Sequence, residues 1–189
     1  LIVHRDIKGP LMERILARVR DWKTGDPLDP SNSLGALIDT EHRGKVASFL
    51  GGDALIGGAM EGPYCPPTIY EVSRDDPRAR EEIFGPVLSV IEVASMDEAI
   101  EVANDTDYGL TASVFTANAR KALRAARDIR AGTVTVNCYG EGDISTPFGG
   151  YKQSGFGGRD NGIHAHDQYT ELKTIWIDLT DPADGDNVG

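Results

Sequence analysis

Cysteine is almost missing from the chain: Cys65 and Cys138 are the only two in 189 residues, far apart and outside any CxxC pair. That excludes a disulfide framework and a cysteine-built zinc site, and it points to a reducing, cytoplasmic compartment. Positive charge is also short. Lys plus Arg number 19 against 30 Asp plus Glu, a formal net charge of -11. Such an excess repels phosphate backbones and anionic lipid, so neither nucleic acid nor a membrane surface is an expected partner. No run approaches the roughly 18 apolar residues of a membrane span, and the first residues do not form a signal peptide. GxGxxG and the P-loop are absent, so no phosphate-cradling turn is expected. His164 and His166 lack the Cys, His or carboxylate companions that a metal needs, and read as a surface pair. No initiating methionine precedes Leu1-Ile2-Val3, which reads as a fragment or a trimmed chain.

What is present suits one soluble domain: 40% hydrophobic and 26% charged, in a length able to bury roughly 70% of its unfolded surface. Leu11, Met12, Ile15, Leu16, Val19 and Trp22 recur at three- and four-residue spacing behind Asp6, predicting a helix that Asp6 caps. A short second helix is expected from His42 to Leu50, then a loop around one short strand from Gly51 to Pro67. Val87 to Val93 is a β-branched strand, and Ser95 with Glu98 is a capping box opening a helix. Ala112 to Thr116 and Thr133 to Cys138 are further strands. Between them lies a helix from Ala119 to Arg130, with Ala122, Leu123, Ala126 and Ile129 on one face and Gly132 suited to its C-terminal cap. Strand, helix, strand, helix, strand makes two successive crossovers, hence an α/β fold on an open parallel sheet. Six glycines between Asp143 and Gly162 predict a long turning loop, Leu172 to Leu179 a last strand, and residues 180–189 an acidic mobile tail.

In an open parallel sheet, ligands gather beyond the carboxyl ends of the strands. The loop after the third strand, Tyr139-Gly140-Glu141-Gly142-Asp143, carries two carboxylates that could hold an ammonium group. Composition alone favours the plainer reading, a solvated acidic turn. A second constellation is Glu81-Glu82-Ile83-Phe84-Gly85-Pro86. A carboxylate can clasp two ribose hydroxyls, and an aromatic two residues on shares its side if the backbone is extended. An exposed glutamate beside a core phenylalanine is the plainer alternative. Cys65 has no nearby base and Cys138 reads as a small core residue. These residues define a possible ligand edge without defining a reaction.

From Glu81 to Val87 the sequence resembles the NAD(P)-dependent aldehyde dehydrogenase superfamily. The likeness runs on through Asn104–Leu110, Ala131–Asn137, Pro147–Gly155 and Tyr169–Thr174, in family order. It implies the C-terminal part of that family's catalytic domain (residues 1–169), an oligomerisation strand (170–179) and the tail. Such enzymes oxidise an aldehyde to the acid with NAD or NADP, through a cysteine nucleophile and a glutamate base that match no residue of this chain. The chain is too short for the whole enzyme, and alone it is expected to be inactive. By position, Glu82 matches the residue on the nicotinamide ribose and Phe84 the aromatic beside the nicotinamide. Phe148 matches an aromatic of the aldehyde pocket, and Glu141 and Asp143 fall on the loop that shapes substrate choice. Residues 170–179, with Trp176, match a strand added to a neighbouring subunit's sheet, as in a homodimer or tetramer, with Arg159 and Glu171 at that interface.

Residues 142–155 and the stretch Thr170–Ile177 resemble the γ-glutamyl-γ-aminobutyraldehyde dehydrogenases of putrescine breakdown. That implies an amine-bearing aldehyde, with a neutral or general aldehyde as the competing substrate. Two departures stand out: the stretch between Leu50 and Tyr64 is short for the family, and Gly157-Gly158 adds a residue before Arg159. The competing reading from another class is a non-catalytic binding or assembly module that keeps the fold. Retention of Glu82 and Phe84 speaks for the enzyme.

Overall fold

Hydrophobic spacing near the N-terminus lays down the first layer of the computed structural model, which describes residues 1–140 and 142–179. Strand β1 (Ile2–His4) leads directly into helix α1 (Arg5–Arg20). Leu11, Met12, Ile15, Leu16 and Val19 turn one face of that helix onto Val3, Ile69 and Val90. Asp6 is not its cap: His4 holds that place, its Nδ1 accepting from the Asp6 N–H at 3.3 Å. Asp6 falls instead in the first turn, where a carboxylate complements the helix dipole. Trp22 lies past the helix end and is half exposed.

Helix α2 (Thr40–Ser48) starts two residues before the expected position because Asp39 caps it, accepting from the His42 N–H at 2.7 Å. Val46 from α2 meets Cys65 and Ile83 in a second buried cluster. No strand forms between Gly51 and Pro67; Ile56 makes only a single bridge to Ile69. The strand comes next, as β2 (Thr68–Glu71), followed by the one-turn helix α3 (Pro77–Arg80).

Strand β3 (Val87–Val93) runs as the sequence predicts, then α4 (Met96–Asn104), β4 (Tyr108–Gly109), β5 (Thr111–Val114), α5 (Ala119–Asp128), β6 (Thr133–Val136) and β7 (Tyr151–Lys152). Ser95 Oγ accepts from the Glu98 N–H at 3.1 Å, while the Glu98 carboxylate reaches the Ala94 N–H at 2.7 Å, one residue before the reciprocal partner of a capping box. Along α5, Ala122 and Ala125 are buried, whereas Leu123 faces solvent.

The parallel α/β expectation holds, with one correction. The two crossovers do not share a sheet: β1-β3-β2 is a three-stranded parallel sheet, β5 and β6 pair parallel in a second, and β4 with β7 antiparallel in a third. Strand β3 already has a partner on each edge, so β5 has no place beside it. Gly132 does not cap α5, which ends at Asp128 with Ile129 beyond it. It marks a close approach instead: a Cβ there would sit 1.6 Å from the Gly149 carbonyl oxygen. A 3-10 helix (Ile163–Tyr169) closes the turning loop. Residues 170–179 join no ladder within the described residues, and the expected tail at 180–189 lies outside them.

Candidate functional site

Two regions collect the residues singled out by sequence. The first is the turn between α3 and β3. Ile83 is driven into the cluster with Val46 and Cys65. Gly85 lets the chain pass α2 so closely that a Cβ would meet Val46 Cγ2 at 2.9 Å. With Ile83 and Gly85 pinned to α2, Glu82 is exposed and Phe84 is 76% exposed. The backbone is not extended here, contrary to the basis on which the pair was expected to share a side. Phe84 has φ +58°, a left-handed conformation that a bulky residue adopts only when its surroundings enforce it. His42 is that enforcement: its Nε2 donates to the Phe84 carbonyl at 2.8 Å, and its ring packs edge-on at 6.1 Å. A cavity of about 360 Å³ runs alongside, with Phe84, Gly85 and Glu81 on its wall; Glu82 stands outside that wall.

The second region is the mouth of the β5–β6 sheet. Here a cavity of about 940 Å³ has both Asp143 and Phe148 on its wall, two residues that the family resemblance assigned to substrate. Its floor was not foreseen. Thr111 and Ser113 on β5 pair in register with Thr133 and Thr135 on β6, placing four hydroxyl-bearing side chains along one face. The signal was available as Thr or Ser at alternate positions in both strands. Tyr139, 83% exposed, adds a second aromatic to the wall. The Ser145 hydroxyl, helped by the Ser145 N–H at 2.8 Å, holds the Asp143 carboxyl below the usual carboxylate range, so it stays ionised at neutral pH. A solvated anion beside two aromatic rings and a hydroxyl-lined floor can accept a cationic or hydroxylated chain. Glu141 lies outside the described residues.

Neither cysteine is set up as a nucleophile. Cys65 is 2% exposed and burial pushes its thiol up; Cys138 is half-buried. Among the described residues no cluster of three potential metal ligands exists, and no helix is long and apolar enough to cross a membrane. Arg159 stacks its guanidinium 5.4 Å from the Tyr151 ring centroid and donates to the Gly158 carbonyl at 2.8 Å. Among the described residues no ion pair joins it to Glu171, which is exposed. Trp176 is 93% exposed, with Leu172, Ile175, Ile177 and Leu179 exposed beside it.

Comparison with known proteins gives this arrangement a context. The model of the aldehyde dehydrogenase family matches residues 1–175. An aminoacetaldehyde dehydrogenase of Pseudomonas aeruginosa is 57% identical over 188 residues, covering 95% of this chain and 38% of that protein. The crystal structure of a γ-glutamyl-γ-aminobutyraldehyde dehydrogenase from Burkholderia cenocepacia superposes with a TM-score of 0.85 at 50% identity, over 92% of this chain and 37% of that one. A mutant indole-3-acetaldehyde dehydrogenase of P. syringae, in complex with NAD+ and IAA, gives 0.87 at 46% identity, over 95% and 38%. The chain therefore spans well under half the length of the relatives it matches. With the family model running through nearly all of it, the chain belongs to the aldehyde dehydrogenase family.

Proposed function

We propose that these residues form part of an NAD- or NADP-dependent aldehyde dehydrogenase that oxidises an aldehyde to the carboxylic acid. The observation that carries this reading is Phe84, a large aromatic held open to solvent in a left-handed turn by His42. Burying it inward would have stabilised the chain by about 2 kcal/mol, so its display points to a ligand. The turn fits a nicotinamide nucleotide: Phe84 offers an open ring face, and Glu82 a free carboxylate for the two hydroxyls of a ribose. When bound, the nucleotide accepts the hydride from the substrate carbon. The part of Glu82 and Phe84 is to hold the ring in register, an orientation effect. The cysteine nucleophile and the base are taken to come from outside residues 1–189.

The cavity at the β5–β6 mouth is assigned to the aldehyde. Its ionised Asp143, with Glu141 on the same loop, favours an amine-bearing substrate of the γ-glutamyl-γ-aminobutyraldehyde kind, and Phe148 packs against the alkyl stem. Such a substrate suits a cytoplasmic step of putrescine breakdown. The test uses the polypeptide of the complete reading frame, following reduced nicotinamide absorbance with amine-bearing and neutral aldehydes. F84A is expected to raise the KM for the nucleotide about tenfold, the share of one lost aromatic contact. Absence of nucleotide reduction with every aldehyde tried refutes the reading.

A specific observation also supports an assembly role. Leu172, Ile175, Trp176, Ile177 and Leu179 stand exposed in a segment with no strand partner among the described residues. Such an edge is suited to adding a strand to the sheet of a second copy, giving a homodimer or tetramer with Arg159 and Glu171 at the interface. W176D should lower the oligomer order in sedimentation; an unchanged sedimentation coefficient refutes the strand exchange.

A further inference from the structure

One constellation joins a strained backbone to the larger cavity. Four non-glycine residues have positive φ among the described residues, and Asn137, at +57°, is the one that follows directly on β6. Its N–H still donates to the Val114 carbonyl at 2.8 Å, as the next rung of the β5–β6 ladder. At the following rung the side chain takes over from the backbone. Oδ1 accepts from the Thr116 N–H at 2.8 Å, and Nδ2 donates to the Thr116 carbonyl at 3.0 Å. The amide thus mimics one more strand residue, while the main chain, freed from pairing, turns left-handed and leaves the sheet. Asparagine tolerates that conformation better than any other side chain able to make both bonds.

The departure point sets the course of the loop that lines the cavity. Cys138 comes next, its carbonyl accepting from the Thr135 hydroxyl at 3.0 Å, and the same hydroxyl lies 2.8 Å from Ser113 Oγ. Then come Tyr139, Gly140, Gly142 and Asp143, all on the wall of the 940 Å³ cavity. Beyond Asn137 the loop is anchored to the sheet through Thr135, and at its far end Asp143 is tied locally to Ser145 and Thr146. The far side of the clamp is stiff too: the Thr116 hydroxyl accepts from the Asn118 N–H, and Asn118 caps α5.

We propose that Asn137 is a positioning residue for aldehyde selectivity: its two-point clamp on Thr116 fixes where the loop from Cys138 to Asp143 leaves the sheet, and so where Tyr139 and the acidic group stand over the substrate. The inference rests on the reading of this cavity as the aldehyde site. It assigns no contact between Asn137 and the substrate.

The decisive variant is N137G, which tolerates the left-handed backbone and lacks only the clamp. The polypeptide of the complete reading frame is assayed with aminopropanal and with propanal, and hydrogen exchange is followed by mass spectrometry over 138–143. N137G should shift the ratio of the two kcat/KM values by about fivefold or more, the share of one to two neutral hydrogen bonds. Amides of 138–143 should exchange faster, those of β5 and β6 at the parental rate. A proportional fall for both aldehydes, with an unchanged ratio, would reduce Asn137 to a structural residue and overturn the proposal. So would a shifted ratio without faster exchange in the loop. Where the parent oxidises neither aldehyde, the assignment of the cavity fails first, a result separable from any effect of the substitution.

Discussion

Replacing Gly132 with alanine offers the sharpest test of how the turning loop is held. The added Cβ would lie 1.6 Å from the Gly149 carbonyl oxygen and 2.8 Å from its carbon. Both are backbone atoms, so no rotamer change relieves the clash, and the two segments must part by about 2 Å to regain ordinary contact. Parting them strains the neighbouring bonds, from the Gly132 N–H to the Gly109 carbonyl at 3.0 Å and from Thr133 to Leu110 at 3.1 Å. Overpacking of this kind costs about 1–3 kcal/mol, and two weakened hydrogen bonds add about 1 kcal/mol each. At roughly 2–4 °C per kcal/mol for a protein of this size, the Tm should fall by about 10 °C. The assay is thermal unfolding by circular dichroism, with G44A beside it. Gly44 lies within α2 with nothing within 4 Å of its Cβ position. Alanine there should stabilise by about 1 kcal/mol through helix propensity. A G132A protein melting within two or so degrees of its parent would refute the close approach.

Asp105 accepts from Arg74 and Arg80 at 2.8 Å each, and these guanidiniums, Arg74 first, hold its carboxyl below the ordinary value of 3.8. The folded state then binds fewer protons than the unfolded one, so the contribution is full above that value and lost as pH falls through the lowered one; D105N should partly flatten the acid limb of a Tm–pH curve, and an unchanged limb would refute the pairing. Lys152 donates at 2.8 Å each to the carbonyls of Asn104, the last residue of α4, and Thr106 just beyond it, so K152M should cost about 2 kcal/mol in a urea titration. Parental stability would show the contact to be idle. Cys65, buried with its thiol pushed up, should react with a disulfide reagent only slowly until urea unfolds the chain, and a fast phase that disappears in C65S would contradict the packing.

Strand β3 and helices α1, α4 and α5 were legible because a β-branched run, amphipathic spacing and side-chain caps are local signals. Strand β2 was hidden behind Pro66 and Pro67, which read as loop, and β1 by having only three residues. The division into separate sheets depends on which edges of β3 are already taken, which no local pattern encodes. At the candidate site, Glu82 and Phe84 were found as residue types, whereas the left-handed turn that displays them comes from His42, some forty positions away. The hydroxyl floor of the cavity was written in two strands as alternating Thr and Ser. It became visible only once the register set Thr111 against Thr133 and Ser113 against Thr135.

The pairing of β1 with the far end of β3 also governs when this region can begin to fold. Ile2, Val3 and His4 lie beside Ile91, Glu92 and Val93, and helix α1 is made between the two. A ribosome adding about 5–20 residues per second needs several seconds to deliver that partner strand. For most of that interval the apolar stripe of α1 has neither β2 nor β3 to lie upon, and β2, when it arrives, still lacks the β3 strand it pairs with, although the helix can form and melt many times over. The nascent chain therefore carries a sticky helix until β3 emerges. Holdase capacity during translation, more than the final stability, should set how much of it reaches the native state.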